Sequence, residues 1–338
     1  MNPLVSIITP TYNQENFIAE CIESVLSQTY PYWEMIIIDD ASSDRTPYIV
    51  EEYSKRDSRI KFIRHNENWG IYRLVDLYNE ALGLSKGEYI AILEGDDFWP
   101  KSKLEKQIAV FSKYPDAVLS HGLIYLVNEK SFKLYRYPWN REIRENKPVG
   151  SILKCYLFGG SPISAVTVMI RKKFLDKIGG FYPKSKKLKL VDYPTWMELA
   201  LLGRFVFVDE VVGYFRRHSN AVTLNFTEEF WKSKLEYLSW FVETHREELI
   251  SLNPQLKVFL ENYGYGQFLE LGRLKILSKE KGSAKKFLVE AWKRRKTIIL
   301  FKSKVSWFLL WFSANFFDVY SVYKKFLGFV RKIKQRKK

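Results

Sequence analysis

Three acidic side chains lie close together after a short apolar run in the first third of the chain. Tyr89–Leu93 has the length of a buried strand, and Glu94, Asp96 and Asp97 follow it around Gly95, which favours a tight turn. Carboxylates this close repel one another unless a proton or a cation relieves them, and Mg²⁺ or Mn²⁺ prefers such oxygen ligands. The segment therefore predicts a divalent metal site. The alternative is a solvated turn in which Asp97 caps the following helix.

Two further polar clusters follow the first two apolar runs of the chain. Tyr12 comes shortly after the run Val5–Thr9, and Asp39 and Asp40 end the run Trp33–Asp39. A flat aromatic ring and a carboxylate acceptor at one edge of a sheet suit a base that offers a ring face and an N–H group. Two alternatives stay open at this point: Tyr12 is an ordinary loop aromatic, and the two aspartates cap the following helix.

The elements that must position these residues alternate between strand and helix. Apolar runs predict four strands, and between them apolar residues recur on one helical face. Such an order predicts an α/β fold with a mostly parallel sheet and helices on both faces, and ligands bind outside the carboxyl ends of its strands. The predicted strands are Val5–Thr9, Trp33–Asp39, Ile60–Ile63 and Tyr89–Leu93; the helices cover about 16–27, 42–57 (with Ser42 or Ser43 as cap) and 70–84.

The second half is mixed in its pattern. We predict helices over 101–113 and 150–158, a helix ending at Gly179, and one more beginning at Asp192, where that carboxylate would be an N-cap. Apolar residues then mark a helix from about Thr227, and others over 256–277 and 284–292. The predicted strands are Ala117–Leu126, Lys133–Tyr137, Ala165–Arg171, Phe205–Val208 and Val211–Phe215.

The loop after the first predicted strand has no glycine. Residues 9–14 read Thr-Pro-Thr-Tyr-Asn-Gln, so the dinucleotide-binding fingerprint is absent, and no phosphate-loop motif occurs in the chain. If this sheet binds a nucleotide, a glycine-rich loop does not hold its phosphates. A metal on the carboxylates after the fourth strand would fill that role.

Chain length, net charge and cysteine content limit the possible domain number, partners and cellular compartment. A chain of 338 residues forms one large domain or two smaller ones, and its net charge of +16 indicates an anionic partner. Two cysteines, Cys21 and Cys155, are too few for a disulfide framework and fit a reducing compartment. The first residues lack the pattern of a signal peptide. A change of character near Thr227 predicts a domain over 1–225 and a helical region over 226–338.

Four segments, taken together and in order, resemble the family 2 glycosyltransferases of the GT-A fold. The resemblance covers roughly residues 4–220. It implies transfer of a sugar, with inversion, from a nucleotide diphosphate donor, usually a UDP-sugar, with Mn²⁺ or Mg²⁺ as cofactor. It also implies a glycan or lipid-linked acceptor in cell-surface polysaccharide biosynthesis. The four segments are Val5–Asn13, Ser24–Tyr30, Ile37–Asp44 and Gly87–Asp97.

The resemblance also implies roles for individual residues. Tyr12 stacks on the nucleobase near Pro10, Asp40 hydrogen-bonds the base, and Arg73 contacts the phosphates. A basic-x-His segment lines the diphosphate, and in this chain it is Arg216-Arg217-His218. The donor-binding set also includes Glu94, which replaces the commoner first aspartate of the acidic motif, and Asp96; the metal ligands are Asp96, Asp97 and His218.

The catalytic base implied by the resemblance is Asp192. The family places a Glu-Asp pair at the start of a helix here, and this chain keeps the aspartate but has Val191 before it. A carboxylate at this position accepts the proton of the acceptor hydroxyl as the sugar transfers. Trp196, one turn later, stacks on an acceptor sugar or packs in the core.

The last segment is aromatic and basic. Residues 305–317 form an apolar run too short to span a bilayer, and the chain ends in a cluster of lysines and arginines over 331–338. Such a segment suits a helix lying in the interface of an anionic membrane, which would place the protein in the cytoplasm at the inner face of the cell membrane. The alternative is a helix packed on the catalytic domain with a solvated tail.

Two other functions compete with transfer. A basic protein rich in aromatics suits single-stranded nucleic acid. However, the acidic clusters at the sheet edge would repel a phosphate backbone and the positive charge concentrates in the tail, so we expect no nucleic-acid partner. A glycosyltransferase-like protein without activity is disfavoured because Asp40, Asp96, Asp97 and Asp192 are all present. No oligomeric state is predicted.

Overall fold

The structure is a computed structural model that describes residues 2–137, 145–157, 162–181, 190–219, 221 and 228–252, with isolated positions 254, 257, 260, 285, 286 and 289. The chain divides into two compact units, Met1–His245 and Arg246–Lys338. The division predicted near residue 225 stays a prediction.

The first unit is built on an eight-stranded sheet in the order β3-β2-β1-β4-β7-β5-β6, with β8 paired to β5. Helices connect its strands, which confirms the predicted α/β class. The strands are β1 (Val5–Thr11), β2 (Trp33–Asp39), β3 (Ile60–Arg64), β4 (Tyr89–Ile92), β5 (Ala117–Asn128), β6 (Lys133–Tyr137), β7 (Met169–Arg171) and β8 (Arg204–Arg217). The helices between them are α1 (Ile18–Leu26), α2 (Thr46–Arg56), α3 (Leu74–Leu84), α4 (Lys103–Lys113), α5 (Leu153–Leu157), α6 (Lys172–Ile178) and α7 (Asp192–Leu202).

The first four strands run parallel, with β1 between β2 and β4. Strands β1, β2 and β4 are buried along their whole length, as expected of parallel strands covered on both faces, whereas β3, at the end of the strand order, is only partly buried. The register pairs Thr11 with Asp39 and Ile8 with Ile92. The segments that follow β1, β2 and β4 therefore meet at one edge of the sheet, as predicted.

The second half of the sheet is mixed. Strand β7 is antiparallel to β4 and β5, β6 is antiparallel to β5, and β8 runs parallel to β5. The prediction of two strands, Phe205–Val208 and Val211–Phe215, is wrong because β8 continues through Asp209 and Glu210. A shift of register beside Gly122 takes up the extra residues, and a Cβ at Gly122 would lie only 2.8 Å from the Val208 carbonyl oxygen.

Two other boundaries differ from the prediction. Residues Ala165–Thr167 form a 3₁₀ turn, so that only Met169–Arg171 is strand. Helix α2 begins at Thr46 and is not capped by Ser42 or Ser43, because the Ser42 hydroxyl donates to Asp39 instead.

A long helix, α8 (Glu228–Thr244), closes the first unit. It packs on the start of α7: the Tyr237 hydroxyl donates to the Pro194 carbonyl at 3.3 Å, and the Lys234 Nζ lies 4.2 Å from the Tyr193 ring centroid. The second unit begins with α9 (Arg246–Leu252). Most of the helices predicted over 256–277 and 284–292 and all of residues 305–317 lie outside the described residues. Among the described helices, none has the length and apolar character needed to cross a membrane.

Candidate active site

The carboxylates of Glu94, Asp96 and Asp97 converge just beyond the carboxyl end of β4, and we call residues 94–97 the acidic turn. One ligand oxygen from each of the three lies within 4.8 Å of the others. Gly95 serves this turn by its small size and not, as the sequence implied, by its backbone conformation. A Cβ there would lie 2.3 Å from the Gln14 Oε1 and 2.8 Å from the Thr11 Oγ1, whereas its φ is not in the left-handed region.

The acidic turn carries more negative charge than its surroundings offset. Burial and the neighbouring charge of Asp96 raise the pKa of Glu94 to about 7, although a hydrogen bond from Tyr78 acts to lower it. Burial and the charges of Asp96 and Glu94 raise the pKa of Asp97 well above its usual range, against the lowering effect of Arg216. The Asp97 Oδ2 is buried without a hydrogen-bond partner. A buried, unsatisfied carboxylate oxygen beside two more carboxylates fits a divalent cation.

Protein groups hold one side of each carboxylate in the acidic turn. The Tyr78 hydroxyl donates to the Glu94 Oε1 at 2.7 Å, the Arg216 N–H donates to the Asp97 Oδ1 at 2.8 Å, and the His218 Nε2 lies 3.0 Å from the Asp96 Oδ2. Because Asp97 is buried and α4 begins later, after Ser102, the alternative in which Asp97 caps that helix is wrong.

The two carboxylates after β2 are hydrogen-bonded by the protein, and we call Asp39 and Asp40 the compensated pair. The Asp40 Oδ1 accepts the Trp69 N–H at 2.9 Å and lies 3.2 Å from the His65 Nδ1, while its Oδ2 accepts the Gly70 N–H at 3.0 Å. Asp39 accepts both the N–H and the hydroxyl of Ser42. Neither caps α2, so the capping alternative is wrong. They hold the loops on either side of β3.

The candidate nucleobase residues lie at the same sheet edge. Pro10 pairs with Ile38, and its carbonyl oxygen accepts the Gly95 N–H at 3.2 Å. Tyr12 follows at the end of β1 with 47% of its surface exposed, in reach of a ligand. The Asp40 N–H donates to the Thr11 carbonyl at 3.0 Å. The fold thus brings Pro10, Tyr12, Asp40 and the acidic turn together, while their contacts with a donor stay predictions.

Arg73 lies at the end of a 3₁₀ turn before α3 and is already partnered. Its guanidinium stacks 3.8 Å from the Trp69 ring centroid, and its Nε donates to Asp76 at 2.9 Å. Trp69 in turn stacks on His65, whose Nδ1 faces Asp40. The contact of Arg73 with the donor phosphates stays a prediction.

Asp192 is the first residue of α7, and Val191 is the N-cap, so the expectation that Asp192 is the N-cap is wrong by one position. Its Oδ1 accepts the Tyr193 N–H at 2.7 Å. Burial raises the pKa of Asp192, against the lowering effects of that hydrogen bond and of the Lys234 charge. The Asp192 charge in turn helps to raise the pKa of Glu94. The structure therefore places the predicted base close to the acidic turn.

Sequence reasoning missed two residues around this site: Tyr78, which binds Glu94, and Lys234, whose charge reaches Asp192. It gave a signal for Arg216 through the basic-x-His segment, but not for the contact of Arg216 with the acidic turn. Lys234 had none, because only the packing of α8 brings it to α7. Trp196 is fully buried and is a core residue, so its alternative as a sugar platform is wrong.

Comparison with known sequences identifies relatives of the chain. The profile of the family described as Glycosyl transferase family 2 matches residues 6–179. A putative teichuronic acid biosynthesis glycosyltransferase, TuaG of Bacillus subtilis, is 32% identical over 250 residues, which cover 73% of this chain and 90% of TuaG. A UDP-Glc:α-D-GlcNAc-diphosphoundecaprenol β-1,3-glucosyltransferase, WfgD of Escherichia coli, is 34% identical over 196 residues, 58% of this chain and 69% of WfgD.

Solved structures share the fold. The 1–349 fragment of S. aureus TarS in complex with UDP-GlcNAc superposes with a TM-score of 0.59 at 19% identity, over 92% of this chain and 91% of that fragment. The mannosyltransferase PcManGT of Pyrobaculum calidifontis, in complex with GDP-Man and Mn²⁺, gives a TM-score of 0.52 at 16% identity, over 90% of this chain and 78% of that one. At these identities the likeness concerns the fold alone.

Proposed function

The chain belongs to glycosyl transferase family 2 and has the GT-A fold, and from this premise we propose that it transfers a sugar, with inversion, from a UDP-sugar to a glycan or lipid-linked acceptor in cell-surface polysaccharide biosynthesis. One observation carries the proposal: the acidic turn at the ligand-binding edge of the sheet has a buried, unsatisfied carboxylate oxygen, and the half-buried Asp192 is close enough for its charge to raise the pKa of Glu94. The first suits a metal-bound diphosphate, and the second suits a base.

The donor nucleotide would occupy the edge formed by β1, β2 and β4. Tyr12 offers an exposed aromatic face, and Pro10 lies two residues before it in the same strand. A carboxylate has about four lone-pair sites, so Asp40 retains acceptor capacity for a base N–H beside the three donors that already face it. The UDP-GlcNAc complex of TarS supports uracil as the base.

The divalent cation would be held by Asp96 and Asp97, with Glu94 and His218 beside them. Mn²⁺ or Mg²⁺ bound there would neutralise the charge that builds on the leaving nucleoside diphosphate. The protein's own contribution is to keep the Asp97 Oδ2 free of hydrogen-bond donors and to orient the Asp97 Oδ1 through the Arg216 N–H. PcManGT, with Mn²⁺ bound, supports the choice of ion.

Asp192 would act as the general base. Its raised pKa makes it a stronger proton acceptor than an exposed aspartate, and the Tyr193 N–H fixes one of its oxygens. When Asp192 removes the proton of the acceptor hydroxyl, the acceptor oxygen can attack the anomeric carbon from the side opposite the leaving diphosphate. A single displacement of this kind inverts the anomeric configuration.

The acceptor and the cellular location are proposed from the relatives and the sequence. WfgD is named for a diphosphoundecaprenol-linked acceptor, and TuaG for teichuronic acid biosynthesis. A lipid-linked acceptor requires access to a membrane, and the aromatic run over 305–317 with its basic tail suits peripheral binding at the inner face. Full-length protein should co-sediment with anionic vesicles and much less at high salt. Equal binding to neutral vesicles, or none to either, contradicts this part of the proposal.

The decisive experiment measures the release of nucleoside diphosphate from a panel of UDP- and GDP-sugars. Each reaction contains Mn²⁺ and is run in the presence and in the absence of chelator. We expect hydrolysis of one UDP-sugar that chelator abolishes and added Mn²⁺ restores. Asp192→Asn should reduce transfer by about 10²–10⁴-fold while the Kd for UDP changes little, because the general base acts on the acceptor. Full activity in chelator contradicts the metal role. Near-normal turnover of the Asp192 variant contradicts the base role.

A further inference from the structure

Arg216 lies at the end of β8 with only 1% of its surface exposed, and it connects several segments around the acidic turn. Its Nε donates to the Asp96 carbonyl oxygen at 2.8 Å and its Nη2 to the Glu20 Oε2 at 2.5 Å. Its Nη1 donates to the Glu129 carbonyl at 3.0 Å and to the Ser131 Oγ at 2.9 Å. One side chain thus joins α1, the acidic turn and the loop between β5 and β6.

These contacts leave the guanidinium little capacity for a further ligand. Four of its five N–H donors are in use, one from Nε, two from Nη1 and one from Nη2. The guanidinium carbon also lies 4.8 Å and 5.1 Å from the ring centroids of Phe17 and Phe98. A buried and nearly saturated arginine cannot reach a diphosphate without breaking this network, so the role implied by the basic-x-His resemblance does not suit it.

We propose that Arg216 is a positioning residue that sets the geometry of the acidic turn for its metal ion. Its side chain holds the backbone at the Asp96 carbonyl, while its own N–H holds the Asp97 Oδ1. With the Asp97 Oδ1 held in this way, the Asp97 Oδ2 is buried and meets no protein donor. The inference rests on the proposed metal-dependent function, and Glu20 and Ser131 act through Arg216 by fixing its guanidinium.

The chain offers a matched control in Arg171, which makes the same kinds of contacts at the opposite, amino end of β4. Its Nε donates to the Ala117 carbonyl at 3.1 Å, its Nη1 to the Tyr89 hydroxyl at 2.8 Å and its Nη2 to the Phe111 carbonyl at 2.9 Å. It also lies against two aromatic rings, those of Tyr89 and Phe111. Arg171 therefore stabilises the fold in a similar way but lies far from the acidic turn along the sheet.

The test is calorimetric titration of the full-length protein with Mn²⁺ alone, without any sugar. Loss of a residue that orients metal ligands typically costs 10–100-fold in affinity, so Arg216→Met should raise the Kd for Mn²⁺ by about that factor. Arg171→Met should lower the melting temperature comparably and leave the Kd unchanged. Arg216→Lys keeps the charge but cannot bridge Asp96 and Glu20, so it should resemble Arg216→Met and not the wild type.

The outcomes separate this inference from the proposed function. A wild-type protein that does not bind Mn²⁺ overturns the metal-dependent function and this inference with it. Wild-type binding with an unchanged Kd in Arg216→Met, or a Kd restored in Arg216→Lys, overturns this inference alone. Should Arg216→Met not fold, Glu20→Gln decides, since it removes one charged partner from the half-exposed side of the network. We expect a rise in the Kd there that is smaller than the roughly 10–100-fold typical of a lost ligand-orienting residue, and an unchanged Kd overturns the proposal.

Discussion

Two groups of carboxylates flank the central strand β1, and the protein treats them in opposite ways. The compensated pair after β2 is surrounded by donors: the Asp40 oxygens face the N–H groups of Trp69 and Gly70, and those of Asp39 face Ser42. The acidic turn after β4 has a donor for only part of each carboxylate, and the Asp97 Oδ2 has none. Both sites consist of carboxylates, but of the two only the acidic turn leaves a buried carboxylate oxygen without a hydrogen-bond partner.

The difference separates structural acids from reactive ones. Hydrogen bonds to a charged carboxylate stabilise a fold, whereas buried carboxylates that face one another destabilise it unless a cation is present. Burial at the acidic turn raises the pKa of Glu94 to about 7 and that of Asp97 well above its usual range. In metal-free protein the acidic turn is thus a source of instability, whereas the hydrogen bonds to Asp40 stabilise the fold. Burial raises the pKa of Asp39 as well, although its hydrogen bonds from Ser42 act to lower it. Four experiments follow from this contrast.

The largest effect is expected from Asp97→Asn. The amide keeps an oxygen for the Arg216 N–H and places its NH₂ beside the carboxylates of Glu94 and Asp96, which removes repulsion. Transfer should fall by about 10³-fold or more, because a catalytic metal supplies several kcal/mol. Melting temperature in chelator should stay equal or rise. A variant that loses stability in chelator as well would show that Asp97 is structural, contrary to the comparison.

Asp40→Asn should act in the opposite sense. Whichever way the amide points, its NH₂ replaces an acceptor of a backbone N–H, so one donor of Trp69 or Gly70 loses its partner. The free energy of unfolding should drop by about 3 kcal/mol, which urea titration measures. Its Mn²⁺ affinity should stay close to that of the wild type. Glu51→Gln, in an exposed ion pair with Lys55 on α2, is the control and should change stability by less than about 0.5 kcal/mol.

Mn²⁺ itself should stabilise the protein through the acidic turn. At about 100 times its Kd, a ligand that binds only the folded state adds about 2.7 kcal/mol. We expect this gain in the wild type and in Asp40→Asn, and we expect it to be absent in Asp97→Asn. The measurement is urea unfolding with Mn²⁺ and with chelator. Equal stabilisation of all three proteins would mean that Mn²⁺ binds elsewhere.

The smallest effect concerns pH. Because the pKa of Glu94 in the folded protein, about 7, lies above its ordinary value of 4.5, the folded state binds the proton more tightly than the unfolded state. This stabilisation is complete below about pH 4.5 and is lost as the pH rises through 7. In chelator, Glu94→Gln should therefore flatten the fall in stability between pH 5 and 8, by about 2 kcal/mol. Identical pH profiles for the two proteins would contradict the raised pKa.

The sequence predicts best where one property governs a whole segment. Strand β2 begins and ends where predicted, at Trp33 and Asp39, because its apolar run Met35–Ile38 is typical of a strand covered on both sides. The three carboxylates of the acidic turn were also found from the sequence, since their spacing after a buried strand brings them together in any parallel sheet. Local order and the chemistry of side chains are enough for both conclusions.

The residues that sequence reasoning missed depend on contacts between distant segments. Nothing near Tyr78 indicates that its hydroxyl binds Glu94, and the roles of Arg216 and Lys234 follow from the placement of β8 and α8. Gly95 was interpreted through backbone conformation, yet the reason for a glycine is the approach of Gln14 and Thr11. The predicted helix cap at Ser42 is also absent, because the Ser42 hydroxyl donates to Asp39. The helix and turn propensities of a segment do not show which partners elsewhere in the chain will bind its side chains.

The contacts of Arg216 also determine when the acidic turn is completed during synthesis. Its ion pair with Glu20 joins residues 196 positions apart, and its bond to the Asp96 carbonyl spans 120 positions. Contacts of such long range form late because the intervening chain must first be ordered, and during translation β8 leaves the ribosome after β1 to β7. A nascent chain that ends before β8 has strands β1 to β7 but lacks Arg216 and its contact with the acidic turn. On the ribosome, metal affinity should therefore arise in a single step as β8 pairs with β5.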